Sequence, residues 1–245
     1  MGGPEHGIGL VAERLTRIIG RRHVLRDVSF RAGAGEVVAI VGRNGAGKST
    51  LLSLLSGRQS PDRGGVRVES DGRVLSPRES ATVVGFLPHD LFLYPDLTAR
   101  ENLAFFASLY GVRHADERIP LAIDAIGLPR DADRPVRTLS RGMQQRAAIG
   151  RLMVIGARVW LLDEPTTGLD EPGRAWLAAT LDAAARRGVL VATASHYRAE
   201  VEAATRVLVL DAGRLVLDVA GGADGATRAF EVIEGGIVAA RGGAA

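Results

Sequence analysis

The chain contains no cysteine and only one lysine, and both scarcities restrict its chemistry. Without cysteine, neither disulfide bonds nor thiolate metal sites are available. No stretch of 18 consecutive apolar residues occurs and the N-terminus does not resemble a signal peptide, so we expect a cytoplasmic protein that does not cross a membrane by itself. A chain of 245 residues predicts one domain with an elaboration rather than two independent domains.

Neither sign of charge dominates the sequence. The formal net charge is +3, and arginines alternate with acidic residues along most segments. This pattern is typical of an ordinary solvated surface. We therefore expect no nucleic-acid partner.

The single lysine, Lys48, lies in a glycine-rich segment. A lysine ammonium is a compact charge that fits between two phosphate oxygens, whereas the planar guanidinium of arginine suits flat, bidentate contacts. The segment has the spacing G-x-x-x-x-G-K-S/T of a phosphate-binding P-loop. Its residues are Gly42, Arg43, Asn44, Gly45, Ala46, Gly47, Lys48, Ser49 and Thr50. We predict that this segment binds the phosphates of ATP.

The surroundings of the glycine-rich segment favour this interpretation over a simple turn before a helix. An apolar run at 37–41 predicts a buried strand that ends at the loop, and leucines at 51–55 predict a helix that begins near Gly47. The N-terminal N–H groups and dipole of such a helix favour an anion. The hydroxyl of Ser49 is expected to contact Mg²⁺.

A second segment, which ends in two acidic residues, supplies the chemistry that hydrolysis needs. Residues 159–162 are apolar and predict a buried parallel strand, which Asp163 and Glu164 follow. We predict that Asp163 holds Mg²⁺ through water and that Glu164 orients or deprotonates the attacking water. A strand that merely ends in two surface acids is the alternative, and the P-loop upstream disfavours it.

The remaining patterns indicate an α/β core with an inserted helical region at about 90–150. The Asp71-Gly72 pair between alternating apolar positions predicts a hairpin, and residues 158–219 alternate strands with helices. We place the main domain at 8–220. The first seven residues and a Gly/Ala-rich tail at 221–245 are predicted to be mobile or loosely attached, and 229–233 could add a strand.

Because these motifs follow one another in this order along the chain, residues 8–219 resemble the ATP-binding subunit of ATP-binding-cassette (ABC) transporters. Residues 139–146 are similar to that family's signature sequence, with Met143 where glutamine is usual, and 165–170 are similar to its D-loop. His196, after a strand pattern at 189–193, corresponds to the family's switch histidine and is expected to support the γ-phosphate. The resemblance implies a P-loop ABC ATPase core with an antiparallel β subdomain and an inserted helical subdomain.

The resemblance also implies partners. Ser140 is a good N-cap, so the start of its helix is an anion site that, with Gly142, is expected to act on the ATP of a second ATP-binding subunit. The pair, a homodimer or a heterodimer, is expected to drive a separate integral membrane permease from the inner face of the membrane, as an exporter of haem or another small molecule. A soluble ABC ATPase acting on nucleic acid or ribosomes is the alternative, which the spacing of 92 residues between Lys48 and Ser140 disfavours because it leaves no room for a coiled coil. A nucleotide sensor without catalysis is disfavoured by Glu164.

Two positions depart from the family pattern. His89 stands where the family has a glutamine that touches Mg²⁺ or water; imidazole is a poor Mg²⁺ ligand, which leaves a doubtful metal role, a water-mediated or gating role, or simple packing. Ile18 or Ile19 stands where an aromatic residue usually stacks on adenine, so base selectivity is expected to weaken and GTP to be tolerated. With His89, the segment 93–103 is also similar to the ATPase of the haem exporter of cytochrome c maturation.

Six of the eleven aromatic residues cluster between positions 86 and 110. The usual explanation of such a cluster is the core of a small helical subdomain, and we expect this arrangement here. The alternative is that some of these rings line a groove for a short helix of a membrane subunit.

Overall fold

The computed structural model describes residues 7–235, so the predictions for 1–6 and 236–245 lie outside the described residues. The strands are β1 (Ile8–Ile19), β2 (Arg22–Gly33), β3 (Val37–Val41), β4 (Arg63–Ser70), β5 (Arg73–Val74), β6 (Val84–Leu87), β7 (Val159–Asp163), β8 (Leu190–Ala194), β9 (Arg206–Asp211) and β10 (Arg214–Ala220). The α-helices are α1 (Lys48–Leu55), α2 (Pro77–Val83), α3 (Ala99–Leu109), α4 (Ala115–Ala125), α5 (Arg141–Val154), α6 (Glu171–Arg186), α7 (Arg198–Ala203) and α8 (Gly222–Gly235).

The strands form two sheets. One is antiparallel with the order β2-β1-β4-β5, and the predicted Asp71-Gly72 hairpin joins β4 to β5, with Glu69 opposite Val74. The other has the order β10-β9-β3-β8-β7-β6 and is parallel except for β10. Because parallel strands end at one edge, the loops after β3, β7 and β8 meet there. The predicted α/β core with an antiparallel subdomain is confirmed.

Helix α1 packs between the two sheets. Leu25 from β2, Ile40 from β3 and Leu52 from α1 are fully buried in one apolar cluster with neighbouring residues of both sheets. Truncation of such a side chain to alanine costs about 2–5 kcal/mol of stability. The loop that precedes α1 is therefore held by the largest core of the molecule.

On the other face of the parallel sheet, α5 and α6 cover β7 and β8, while α3 and α4 extend the helical layer outward. Helix α3 begins with a capping box formed by Thr98 and Glu101. Buried aliphatic residues such as Leu103, Ile119 and Ile123 fill the space among these helices. The helical region predicted at about 90–150 contains α3, α4 and most of α5.

The prediction that the clustered aromatic residues form the core of the helical region is wrong. None of the six is fully buried, and four are exposed. The exposed four are Phe92, Tyr94, Phe105 and Tyr110. Aliphatic side chains supply the core instead, which leaves the rings on a surface.

The prediction of a loosely attached tail from 221 onward, with a strand at 229–233, is also wrong for the described part of the tail. Residues 222–235 form α8, in which Ala226 and Ala229 are fully buried against β9 and α7. Alanine and glycine let α8 approach the sheet closely: a Cβ on Gly225 would clash with the backbone of Ala220. The small residues that suggested a loose tail are the ones that make close packing possible.

Candidate nucleotide-binding and catalytic site

The loop between β3 and α1 is a backbone cradle. Gly47, the residue before α1, has φ 106°, and a Cβ there would lie 2.7 Å from a methyl group of Leu25. A Cβ on Gly42 would clash with the carbonyl oxygen of Leu210. Only glycine is compatible with this path. Arg43, Asn44 and Gly45 lie exposed along the loop, Ala46 is buried, and Thr50 lies in the first turn of α1.

Lys48 is buried in this cradle. Its Nζ donates hydrogen bonds to the carbonyl oxygens of Gly42, at 2.9 Å, and Arg43, at 3.4 Å. The start of α1 has no side-chain cap and no acidic residue in its first turn. Its free N–H groups and the adjacent ammonium therefore suit a phosphate chain.

Two side-chain oxygen atoms, from Ser49 and Asp163, lie beside the cradle. The Oγ of Ser49 donates a hydrogen bond to Oδ1 of Asp163, the last residue of β7, at 3.1 Å. Burial raises the pKa of Asp163, and the hydrogen bond from Ser49 opposes this shift. A hydroxyl and a carboxylate are ligands that Mg²⁺ prefers. The residues present therefore fit a Mg²⁺-bound nucleotide.

Glu164 and His196 face each other at the same edge of the sheet. Glu164 has φ 49°, an unusual conformation for a residue other than glycine, and its N–H donates to the carbonyl of Ala194 at 3.0 Å. The Nδ1 of His196 lies 3.9 Å from Oε1 of Glu164, and the hydroxyl of Thr167 lies 3.4 Å from Oε2. A carboxylate beside an imidazole is an arrangement that can accept a proton from water.

Ser140 caps α5 as predicted. Its Oγ accepts a hydrogen bond from the N–H of Met143 at 3.3 Å, and the first turn of α5 contains no acidic residue. A Cβ on Gly142 would lie 3.5 Å from Leu169, so the helix start packs beside the loop that follows Glu164. Arg141 donates a hydrogen bond to the carbonyl of His89 at 2.9 Å.

Comparisons with known proteins agree with this geometry. A family profile described as "ABC transporter" matches residues 25–167. The chain belongs to this family. It is 33% identical over 213 residues to the linearmycin resistance ATP-binding protein LnrL of Bacillus subtilis (strain 168), covering 84% of this chain and 68% of LnrL. It is also 37% identical over 177 residues to a cytochrome c biogenesis ATP-binding export protein, CcmA, of Rhodopseudomonas palustris (strain BisB5), covering 72% of this chain and 86% of CcmA.

Solved structures show the same fold. A dimeric ATP-binding cassette, MJ0796, in a post-hydrolysis state with ADP and Pi superposes with a TM-score of 0.75 at 25% identity, covering 86% of this chain and 98% of that one. The present chain is accordingly an ABC transporter ATP-binding subunit and an ATPase, with ATP and Mg²⁺ as cofactors. Among residues 7–235, no helix is long and apolar enough to span a membrane.

His89, which the sequence analysis predicts at the position of the family's glutamine, lies on the loop after β6. Its side chain is 60% exposed, and Asp90, at 3.9 Å, is the acidic residue that it contacts. Within the described residues, no group of three or more His, Asp or Glu side chains could hold a metal ion. Burial raises the pKa of Asp163, and the charge of His89 is the smallest of the effects that oppose this rise. A role of His89 at the edge of the ABC site stays a prediction.

Sequence reasoning missed several groups that support the ABC site. Thr167 contacts Glu164, and Leu210 closes the cradle behind Gly42. Glu200 is half-buried near His196. No spacing rule identifies such residues, because each acts through a contact with a distant segment. A glutamate four residues after His196, next to the apolar and buried Val201, is the signal that could have drawn attention to Glu200.

Proposed function

We propose that this chain is the cytoplasmic ATPase subunit of an exporter, located peripherally on the inner face of the membrane. Two ATP-binding subunits close on ATP and drive a separate integral membrane permease. The observation that carries this proposal is the meeting of the Ser49–Asp163 pair and the Glu164–His196 pair at one edge of the sheet, next to Lys48. The name of the CcmA relative supports export as the direction of transport.

Each residue at this edge has a distinct task in the proposal. Lys48 neutralises charge on the β- and γ-phosphates, and Ser49 and Asp163 hold Mg²⁺, which supplies further charge neutralisation when bound. Glu164 accepts a proton from the attacking water. His196 supports the γ-phosphate and keeps Glu164 oriented.

The role proposed for Ser140 and Gly142 requires a second subunit. The start of α5 lacks acidic residues and offers free N–H groups, yet the chain already has one phosphate cradle at Lys48. In a head-to-tail pair, the start of α5 of one subunit caps the γ-phosphate that is held by the other. The dimeric structure of MJ0796 supports this arrangement.

Replacement of Glu164 by glutamine tests the catalytic proposal. The amide keeps the shape of the side chain but accepts no proton, so we expect phosphate release to fall by about 10²–10⁴-fold while ATP stays bound. Size-exclusion chromatography with ATP should then show a dimer. Glu171→Gln, on the exposed start of α6, is the matched control and should keep normal turnover. Full turnover in Glu164→Gln would remove that residue from the mechanism.

We further propose that the permease contacts a groove lined by the clustered aromatic residues. The groove has a volume of about 580 Å³ and lies between β6, α2 and the C-terminal end of α3. Its rings belong to Phe86, Phe92, Tyr94, Phe106 and Tyr110. Arg58 stacks over Phe92 at 4.4 Å, and no carboxylate lines the groove. The occupant with matching chemistry is a short amphipathic helix of the permease that carries an acidic side chain.

A charge reversal at Arg58 tests the groove. Since Arg58→Glu repels an acidic helix, we expect the permease to lose co-purification and to stop stimulating ATP hydrolysis, while the isolated subunit keeps its basal rate. Arg130→Glu, an exposed arginine on another face, is the control for net charge. Normal assembly of the Arg58→Glu subunit with its permease would exclude this groove as the contact.

A further inference from the structure

A second groove lies between α4, α6 and the C-terminal end of α5, and it has no role in the proposal above. Its volume is about 620 Å³. Leu121 of α4 lines the groove on one side, Trp176 and Ala183 of α6 line it on another, and Met153 of α5 lies between them. Because α4 belongs to the helical region and α6 packs on the parallel sheet, the groove lies where these two parts of the molecule meet.

Three arginines line this groove and lie near one another. Arg158 directly precedes β7 and Arg187 lies shortly before β8; the two strands begin side by side, and the N–H of Leu190 donates to the carbonyl of Arg158 at 2.9 Å. Arg118 of α4 reaches the same region, because its Nη2 would lie 2.9 Å from a Cβ on Gly156. The three arginines therefore lie near the sheet edge opposite the phosphate-binding edge, and we call the site the arginine groove.

The charge of the arginine groove is unbalanced. Of the carboxylates in residues 7–235, none lines the groove. In the same part of the chain, the guanidinium groups of Arg118 and Arg187 have neither an ion-pair nor a hydrogen-bond partner, and both residues are exposed. Arg158 is partly paired: its Nη1 donates to the hydroxyl of Ser70 at 2.8 Å and lies 3.8 Å from the carboxylate of Asp71. A surface with this excess of positive charge is complementary to an anion.

Beyond its arginine end, the groove is apolar. Leu121 is 69% exposed, and Trp176 is half-buried, with the guanidinium carbon of Arg146 4.6 Å from the centre of its ring. Trp176 and Arg187 lie at opposite ends of α6, a separation of about 16 Å along the helix axis. An exposed apolar strip that ends in a cluster of cations suits a molecule with an anionic head and an apolar tail.

We propose that the arginine groove binds a single-chain fatty acid. The carboxylate lies among Arg118, Arg158 and Arg187, and the alkyl chain lies along Leu121 and Trp176. The apolar part of the groove is long enough for an extended chain such as that of dodecanoate, and pockets for small molecules usually have volumes of about 300–1,000 Å³. The bound molecule contacts both α4 and α6 and therefore connects the helical region to the sheet core. This inference does not depend on the catalytic roles proposed above.

Tryptophan fluorescence tests the site directly, because both tryptophans of the chain, Trp160 and Trp176, line the arginine groove. We expect dodecanoate, titrated below its micelle concentration, to change the emission along a saturable curve and to give the same Kd by calorimetry. Dodecyltrimethylammonium has the same chain length but a cationic head, and it should bind about 10-fold more weakly or not at all. Equal binding of the two probes, no saturable response to dodecanoate, or a response only to a poly-glutamate peptide would overturn the inference.

Two kinds of variant separate charge from shape. Arg118→Gln combined with Arg187→Gln removes both unpaired cations, and because exposed ion pairs contribute modestly, the Kd for dodecanoate should rise by about 5- to 25-fold. Ala183→Phe keeps every charge but fills the groove, so saturable binding should be lost. Arg130→Gln, at an exposed arginine that does not line the groove, is the control and should keep the wild-type Kd. If Ala183→Phe does not fold, the double arginine variant and the comparison of the two probes decide.

Ionic strength tests whether the arginines hold the head group of the fatty acid. The Debye length falls from about 10 Å at 0.1 M salt to about 3 Å at 1 M. The ratio of the Kd values of the double arginine variant and the wild type should therefore shrink toward one at about 1 M NaCl. A wild-type Kd in the double arginine variant, or a Kd ratio that does not change with salt, would show that the charges of Arg118 and Arg187 do not bind the carboxylate, and the inference would be wrong.

Discussion

The phosphate-binding edge of the parallel sheet and the aromatic groove beside β6 are built in different ways. At the edge, contiguous residues around Lys48 fold into a cradle whose polar groups are mainly backbone atoms. In the groove, side chains from α1's end, β6, α3 and α5 come together, and rings and guanidinium groups form the surface. A backbone-built site tolerates almost no change of residue type, whereas a side-chain-built surface can be altered one contact at a time.

The largest effect on nucleotide affinity is expected for Lys48→Arg at the edge, even though the substitution keeps the charge. The compact ammonium is held within hydrogen-bond distance of two loop carbonyls, and a planar guanidinium does not fit that space. Since charge-assisted hydrogen bonds contribute about 1.5–3 kcal/mol, affinity for Mg-ATP should fall by about 10- to 100-fold. Calorimetric titration measures this loss, with Arg130→Lys, an exposed arginine outside the loop, as the control. Unchanged affinity would show that the edge is less restrictive than its geometry indicates.

The edge could be predicted from the sequence because its parts obey local rules. A P-loop spacing requires glycine where φ is positive, and an apolar run of four residues before Asp163 requires a buried strand. Ser140 was recognisable as an N-cap by residue type alone. In each case one segment of sequence contains the whole physical reason for its conformation.

An intermediate effect is expected for Arg151→Met in the groove. Arg151 is buried, which lowers its pKa to about 10, and its guanidinium donates to the carbonyls of Phe86, at 2.8 Å, and Phe92, at 3.3 Å. Methionine leaves these oxygens without a partner, which costs about 1–3 kcal/mol. The melting temperature should drop by roughly 3–10 °C, while basal turnover at 25 °C stays near normal. Arg130→Met, at an exposed position, should leave the melting temperature unchanged; an equal drop in both variants would contradict the structural role of Arg151.

The groove and α8 could not be predicted because they depend on contacts between distant segments. Aromatic residues clustered in sequence suggested a core, but the aliphatic residues of α3 and α4 already fill that space, so Phe92 and Tyr94 remain outside. Likewise, small residues after position 221 suggested a loose tail, although Ala226 and Ala229 pack against β9. Composition indicates which residues can be buried. Which side chains fill a given part of the core is decided only by the tertiary structure.

The smallest effect concerns Glu200, a half-buried side chain on α7 that lies near His196 at the backbone-built edge. Burial raises its pKa above the ordinary value of 4.5, so the folded protein binds this proton more readily than the unfolded chain. The carboxyl therefore contributes stability that is fully present below pH 4.5 and is lost as pH rises through the folded pKa.

The variant Glu200→Gln lacks this pH dependence of stability, because its amide does not titrate. Its melting temperature should exceed that of the wild type at pH 8, and the difference should shrink steadily as the pH falls toward 4.5. Glu231→Gln, on the exposed face of α8, should show no pH-dependent difference. A difference for Glu200→Gln that is constant or grows toward acid would mean that the neighbouring charges of His196 and Arg174 outweigh the burial of the carboxylate.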